Sequence, residues 1–252
     1  VESIKRDTPT SWLHAIPTAN ALHLIDYETM DTYNDEGNET EARLGWMFRG
    51  NFDYANKYLV EFSARYDGSW KFPPDHRWGF FPSFSAAWRV SEEAFMKDVK
   101  WISNFKIRLG WGTVGNDNIP NYLSLDLYEA NKYGIGNSSV TVLNPKQLRN
   151  KNLKWEGSNT TNLGIDLGFS DNRLNVTAEF FIKNTKDLLL SQSLAHITGF
   201  DSQMQNVGKI QNKGIELSLN STNIQTRNFT WQTNFNISFI RNTLKSLASG
   251  VN

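Results

Sequence analysis

Apolar and polar residues alternate one for one along most of this chain, and the alternation restarts after each polar interruption. Side chains on a β-strand point to opposite faces in turn, so a period of two describes a strand with one apolar and one polar face. In the first clear stretch Leu44, Trp46, Phe48, Phe52 and Tyr54 share a face, with Gly45, Arg49, Asn51 and Asp53 opposite. Comparable stretches run over Tyr58–Tyr66, Phe80–Trp88, Phe105–Trp111, Leu163–Phe169, Leu174–Ile182, Ile215–Leu219 and Phe229–Phe239. About eight strands are expected, and the fold class is all-β. Only Ser91–Val99 reads as a short helix, opened by a serine cap with glutamate in its first turn.

The connections sort by length. Those around Ala55, Ser170 and Gln225 are short and Ser91–Trp101 is moderate, whereas Asp67–Arg77, Thr113–Lys154 and Asn184–Val207 are longer and polar. Short and long alternate, so an up-and-down meander gathers the short turns at one end and the long loops at the other. That asymmetry is the pattern of an outer-membrane barrel. Tyr54, Tyr58, Trp88, Trp101, Phe169, Phe229 and Trp231 flank the short-turn end, as an interfacial girdle would. Cross-strand aromatic packing in a soluble sheet produces the same clustering. The polar face carries Arg49, Glu61, Arg65, Lys106, Arg108, Asp166, Glu179 and Glu216, a mixture that suits a water-filled or plugged lumen as well as a solvated surface.

Composition narrows the functional classes. With 26 basic against 26 acidic residues there is no electrostatic footprint for nucleic acid, and no such partner is expected. Cysteine is absent, which removes disulfides and thiolate metal sites. No apolar run approaches the roughly 18 residues of a spanning helix. The opening residues VESIKRDTPTSW contain no apolar targeting core, so a mature or internal segment is expected. His14, His23, His76 and His196 are isolated, and GWGTVGN sits at a strand end without a following helix. Neither a cofactor nor enzymatic chemistry is expected.

Several segments resemble the C-terminal half of the barrel in the SusC/RagA family of TonB-dependent transporters. The clearest is RYDGSWKFPPDHRWGFFPSFSAAW, Arg65 to Trp88. RVSEEAFMK (Arg89–Lys97), ISNFKIRLGWGTVGN (Ile102–Asn116) and NPKQLRNKNLKWEGSNTTNLGIDLGF (Asn144–Phe169) follow. TKDLLL (Thr185–Leu190) and NVGKIQNKGIELSL (Asn206–Leu219) complete the series, in the family's own order, over roughly residues 42 to 246.

The resemblance implies a transmembrane antiparallel up-and-down β-barrel segment, about eight strands of a larger barrel of about 22. It implies a barrel segment over residues 42–252, an unassigned extracellular loop or strand region over 1–41, and a plug domain outside this chain. The implied function is TonB-dependent import of a bulky nutrient, an oligosaccharide or peptide, across the bacterial outer membrane. TonB would act through the plug, a SusD-like surface lipoprotein would be the partner, and outer-membrane lipid would surround the wall.

The loop with Trp70, Phe72, Arg77 and Trp78 could contact a ligand or partner through an aromatic platform. Alternatively Trp78 anchors the outer interface while Phe72 packs within the loop. Two other classes also fit the alternation: a small self-closed outer-membrane barrel with an adhesive or structural role, and a soluble secreted carbohydrate-binding β-sandwich.

Overall fold

The computed structural model describes residues 2–11, 37–136 and 138–247, with side chains from residue 42 onward. His14 and His23 therefore lie outside the described residues. In chain order the strands are β1 (Glu2–Ser11), β2 (Gly37–Tyr54), β3 (Tyr58–Ser69), β4 (Trp78–Arg89), β5 (Ile102–Asn116), β6 (Tyr128–Ile135) and β7 (Ser138–Pro145). They continue with β8 (Glu156–Phe169), β9 (Leu174–Lys186), β10 (Leu189–Ser193), β11 (Ser202–Asn206), β12 (Lys209–Gln225) and β13 (Thr230–Ser246). Nine of these form one sheet in the order β1-β2-β3-β4-β5-β8-β9-β12-β13, while β6-β7 and β10-β11 are separate two-stranded hairpins within the long connections. Every pairing is antiparallel. Eight strands of the sheet match the eight alternating stretches, and β1 is a ninth that the alternation did not signal.

Register carries the alternation across the whole sheet. Phe62 pairs with Phe84, Phe84 with Trp111, Leu109 with Leu163, Leu163 with Phe180, and Phe180 with Ile215. Paired residues share a face, so one side is apolar from β2 to β13. Ser85, Arg108, Gly164, Glu179 and Glu216 line the other by the same pairing. A one-residue slip in any pair would mix the two faces, which is why the register is strongly specified.

That apolar face has no second layer over it among the described residues. Phe48, Phe80 and Phe239 are each more than 60% exposed. A soluble sandwich would bury this face against a partner sheet about 10 Å away. Nor does the sheet close on itself among the described residues: β1 and β13 are its two edges there, and it has nine strands, so the self-closed eight-stranded barrel does not describe it.

The turns follow local chemistry. Ala55 and Asn56 both take positive φ, 55° each, and the Lys57 N–H returns to the Tyr54 carbonyl at 3.0 Å. This is a tight turn within a three-residue hairpin loop, Ala55 to Lys57, with its two central residues in the left-handed region. Ser170, Asp171 and Asn172 also take positive φ in the β8-β9 turn. The helix expected over Ser91–Val99 is instead two 3-10 turns, Val90–Glu92 and Ala94–Met96. Between them Glu93 is extended, at φ −75° and ψ 151°, because its carboxylate is held back against β3 and β4.

The buried apolar core sits in the loops rather than under the sheet. Phe72, Ile119 and Leu153 are enclosed, with Leu123, Trp155, Leu189 and Met204 packed on them. Three long connections thereby share one small core at the long-loop end.

Candidate functional site

Three features built from these elements bear on function: aromatic belts, a charged inner wall and a pocket beneath the loops. The belts come first because they fix how the sheet sits. At the short-turn end Tyr54 stacks on Tyr58 and Tyr58 on Trp88, with ring centroids 6.4 and 6.5 Å apart. Glu93 ties this belt to its turn. Its carboxylate accepts from the Tyr58 hydroxyl at 2.7 Å and the Trp88 indole at 3.2 Å, and pairs with the Lys57 ammonium at 3.0 Å. These donors, the Tyr58 hydroxyl foremost, hold the Glu93 carboxyl below its ordinary pKa. At the long-loop end Trp46, Tyr66 and Trp78 form a second stack, with centroids 5.0 to 6.0 Å apart.

The inner wall is a lattice of compensated charges. Arg108 forks onto Asp166 at 2.8 and 3.1 Å and reaches Glu179 at 3.6 Å. Thr177 donates to Asp166, and Asn162 to Glu179. Gly164 makes the arrangement possible, since a Cβ there would lie 2.8 Å from the guanidinium. Arg49 pairs with Glu61 at 2.6 Å nearer the short turns. A wall of this kind is wettable yet carries little net field.

Beneath the loops the inner face opens into a pocket of about 550 Å³, lined by Arg43, Arg65, Asp67, Phe81, Asp117 and Trp155 among others. The volume lies within the usual ligand-site range. Arg65 pairs with Asp67 at 3.1 Å and Arg43 with Asp117 at 3.1 Å, while Ser69 donates to Asp117 at 2.7 Å. Trp155 is fixed from behind: its indole N–H donates to the Arg77 carbonyl at 3.0 Å, and its ring packs on buried Phe72 at 5.2 Å. Phe81 meets it edge-on at 5.3 Å.

Neighbouring connections lock the rim. Lys71 donates to the Ile119 carbonyl, Asn150 to the Met204 carbonyl, and Asn206 to the Lys154 and Asp187 carbonyls. Lys154 also pairs with Asp187 at 3.0 Å.

The four loop residues singled out from the sequence go to different places. Trp70 stays in the loop, edge-on to Tyr122 at 5.1 Å. Its indole N–H and the Arg77 Nε–H are buried without a hydrogen-bond partner among the described residues. Phe72 is fully enclosed in the loop core, and Trp78 belongs to the second aromatic belt on the apolar face. The pocket's own aromatics, Phe81 and Trp155, were not assigned a role from sequence. A signal for Phe81 exists, because it is an aromatic at a polar-face position between Gly79 and Ser83.

Comparison with known proteins matches this geometry. The family model described as TonB dependent receptor-like, beta-barrel, matches residues 8–250. The TonB-dependent receptor SusC of Bacteroides thetaiotaomicron is 37% identical over 237 residues, covering 87% of this chain and 24% of that protein. A TonB-dependent receptor of Formosa agariphila is 38% identical over 246 residues, 94% of this chain and 23% of that protein. Among solved structures, the RagAB peptide transporter superposes with a TM-score of 0.79 at 28% identity, over 86% of this chain and 24% of that one. The chain spans about a quarter of the length of the curated relatives it matches.

Proposed function

Because the chain belongs to the TonB-dependent receptor-like β-barrel family, we propose that it forms a section of the wall of a bacterial outer-membrane importer for an oligosaccharide or peptide. The observation that carries this reading is the face segregation: one continuous sheet, apolar outside between two aromatic belts, compensated charge inside. Only a bilayer on one side and a wet lumen on the other satisfies both faces. Closure would take about 22 strands, of which the described residues supply nine.

On this reading residues 42–252 are barrel wall and extracellular loops, and residues 1–41 bring the further wall strand β1. The short turns face the periplasm. TonB delivers energy through a plug region inside the barrel. A SusD-like surface lipoprotein seats on the long-loop end, where the interlocked loops make a firm platform. Trp70 and Arg77, which stay in the long-loop end, are the ligand or partner contacts of this reading; Phe72 holds the loop and Trp78 anchors the membrane edge. The work is transport, with no covalent step.

Purification of the native protein from bacterial membranes in detergent, followed by denaturing gel and mass spectrometry, tests this. A polypeptide on the order of 100 kDa, the size a plugged 22-stranded barrel requires, with a co-purifying lipoprotein, is expected. A mature chain of 28.8 kDa that stays soluble without detergent would contradict it.

A further inference from the structure

We infer that the outer face of β9, β12 and β13, at the long-loop edge of the apolar band, binds the phosphorylated headgroup of an outer-leaflet glycolipid. The inference rests on the membrane-wall part of the proposed function and is independent of what the importer carries.

The first observation is a change of character along one face. Phe180, Ile215 and Phe239 form an apolar row in register across the three strands. Two residues nearer the long loops the row is Ile182, Lys213 and Arg241. Asn184, Gln211 and Thr243 come next, and then Lys186 opposite Lys209. Paired residues share a face, so Lys186, Lys209, Lys213 and Arg241 all stand on the lipid side, and all four are exposed. Arg241 is ten residues from Trp231 on the same face of β13, the spacing that separates Trp78 from Trp88 on β4. The cations are therefore level with the aromatic belt of the long-loop end, at headgroup depth.

The second observation is charge. Lys186 directly opposes Lys209, and Lys213 directly opposes Arg241. Like charges so placed repel. No Asp or Glu stands on this face of the three strands among the described residues. None of the four cations has a side-chain partner among those residues either. The adjoining acid, Asp187, is taken by Lys154 at 3.0 Å. On the inner face, by contrast, Arg49 and Arg108 sit against carboxylates. A single lysine at a membrane edge extends its ammonium into water, which accounts for one cation but not for two opposed pairs. A phosphate between the members of a pair accepts hydrogen bonds from both and replaces repulsion with two charge-assisted contacts.

The third observation selects the kind of lipid. Between the two cation pairs lie Asn184, Gln211 and Thr243, with the Gln211 amide donating to Asn184 at 2.8 Å. Uncharged donors and acceptors flanked by cations match ring hydroxyls flanked by phosphate. A phosphorylated sugar headgroup offers both, and its acyl chains would run down over Phe180, Ile215 and Phe239.

The test uses the full-length protein, stripped of lipid in detergent. It is titrated with monophosphoryl lipid A and, separately, with phosphatidylglycerol, and bound lipid is read by native mass spectrometry. Saturable binding of lipid A, at least tenfold tighter than phosphatidylglycerol, is expected. It should weaken tenfold or more when Lys213→Gln is combined with Arg241→Gln, and again when Lys186→Gln is combined with Lys209→Gln. Lys97→Gln, at the short-turn end, should leave it unchanged. Without lipid both double variants should melt no lower than wild type, because each removes a like-charge pair, and this separates lost binding from misfolding. Equal affinity for the two lipids, no binding of lipid A, or lipid A affinity unaltered in both double variants would overturn the glycolipid site. The membrane-wall reading fails on a different result, a full-length protein that stays soluble when the detergent is removed.

Discussion

Trp78 and Trp88 stand at opposite ends of the 12-residue strand β4 and on the same face of the sheet. At about 3.3 Å per residue they are roughly 33 Å apart along the strand. A tilt of about 40° projects this to roughly 25 Å, the height of an outer-membrane apolar band. Each tryptophan belongs to a stack, Trp78 with Trp46 and Tyr66, Trp88 with Tyr58. The two belts therefore mark where the hydrocarbon begins and ends.

Arginine placed midway between the belts should cost far more on one face than on the other. Phe84→Arg on the apolar face is expected to destabilise the barrel by about 2–4 kcal/mol, the midplane cost of a lipid-facing charge. Ser85→Arg, one residue on and facing the inner wall, should change stability by less than about 1 kcal/mol. Urea unfolding in lipid vesicles distinguishes the two.

Glu93 gives the short-turn end a pH dependence. Its folded pKa is lowered by the Tyr58, Lys57 and Trp88 donors. A depressed carboxylate contributes stability that is fully present above its unfolded value, near 4.3. That contribution is lost as pH falls through the lower folded value. The melting temperature of wild type should exceed that of Glu93→Gln at pH 7, and the gap should narrow below about pH 4. A gap that stays constant from pH 7 to pH 3 would contradict the assignment.

Ala55 is held at φ 55°, where a Cβ costs about 1–2 kcal/mol. Glycine removes that cost but adds about 0.5–1 kcal/mol of chain entropy in the unfolded state. Ala55→Gly should therefore stabilise the β2-β3 turn by up to about 1 kcal/mol, seen as a modest rise in the temperature of the folded-to-unfolded gel shift.

Phe72 should matter to the loops and not to the wall. Phe72→Ala empties the centre of the loop core, at about 3–5 kcal/mol for a buried phenylalanine. Trypsin should then cut rapidly at Arg149, Lys151 or Lys154 while the sheet strands remain protected. Digestion monitored by mass spectrometry gives the cleavage order.

The wall was legible in the sequence because membrane and lumen impose opposite demands on adjacent residues. Eight alternating stretches became eight strands, and the short-long rhythm of connections fell on the two ends as expected. Strand β1 was not legible: ESIKRDTPTS carries little alternation, and its place is set by pairing with β2. The 91–99 segment looked helical because its capping and charge pattern are locally sound. Contacts of Glu93 with Tyr58 and Lys57, more than thirty residues away in sequence, override that preference. The pocket was hidden for a similar reason. Phe81, Asp117 and Trp155 meet only after β4, β5 and the loops assemble, and a period-two pattern cannot report a meeting between loops.

The face assignment is tested most directly by single cysteines along β4 in the full-length protein in native outer membrane, helped by the absence of cysteine from this segment. Positions 80, 84 and 86 should resist a charged maleimide, because a thiol facing hydrocarbon stays protonated and out of the reagent's reach, while positions 83, 85 and 87 should react with it. Uniform reaction of all six with the charged reagent would mean that both faces meet water, and the membrane-wall account would be wrong.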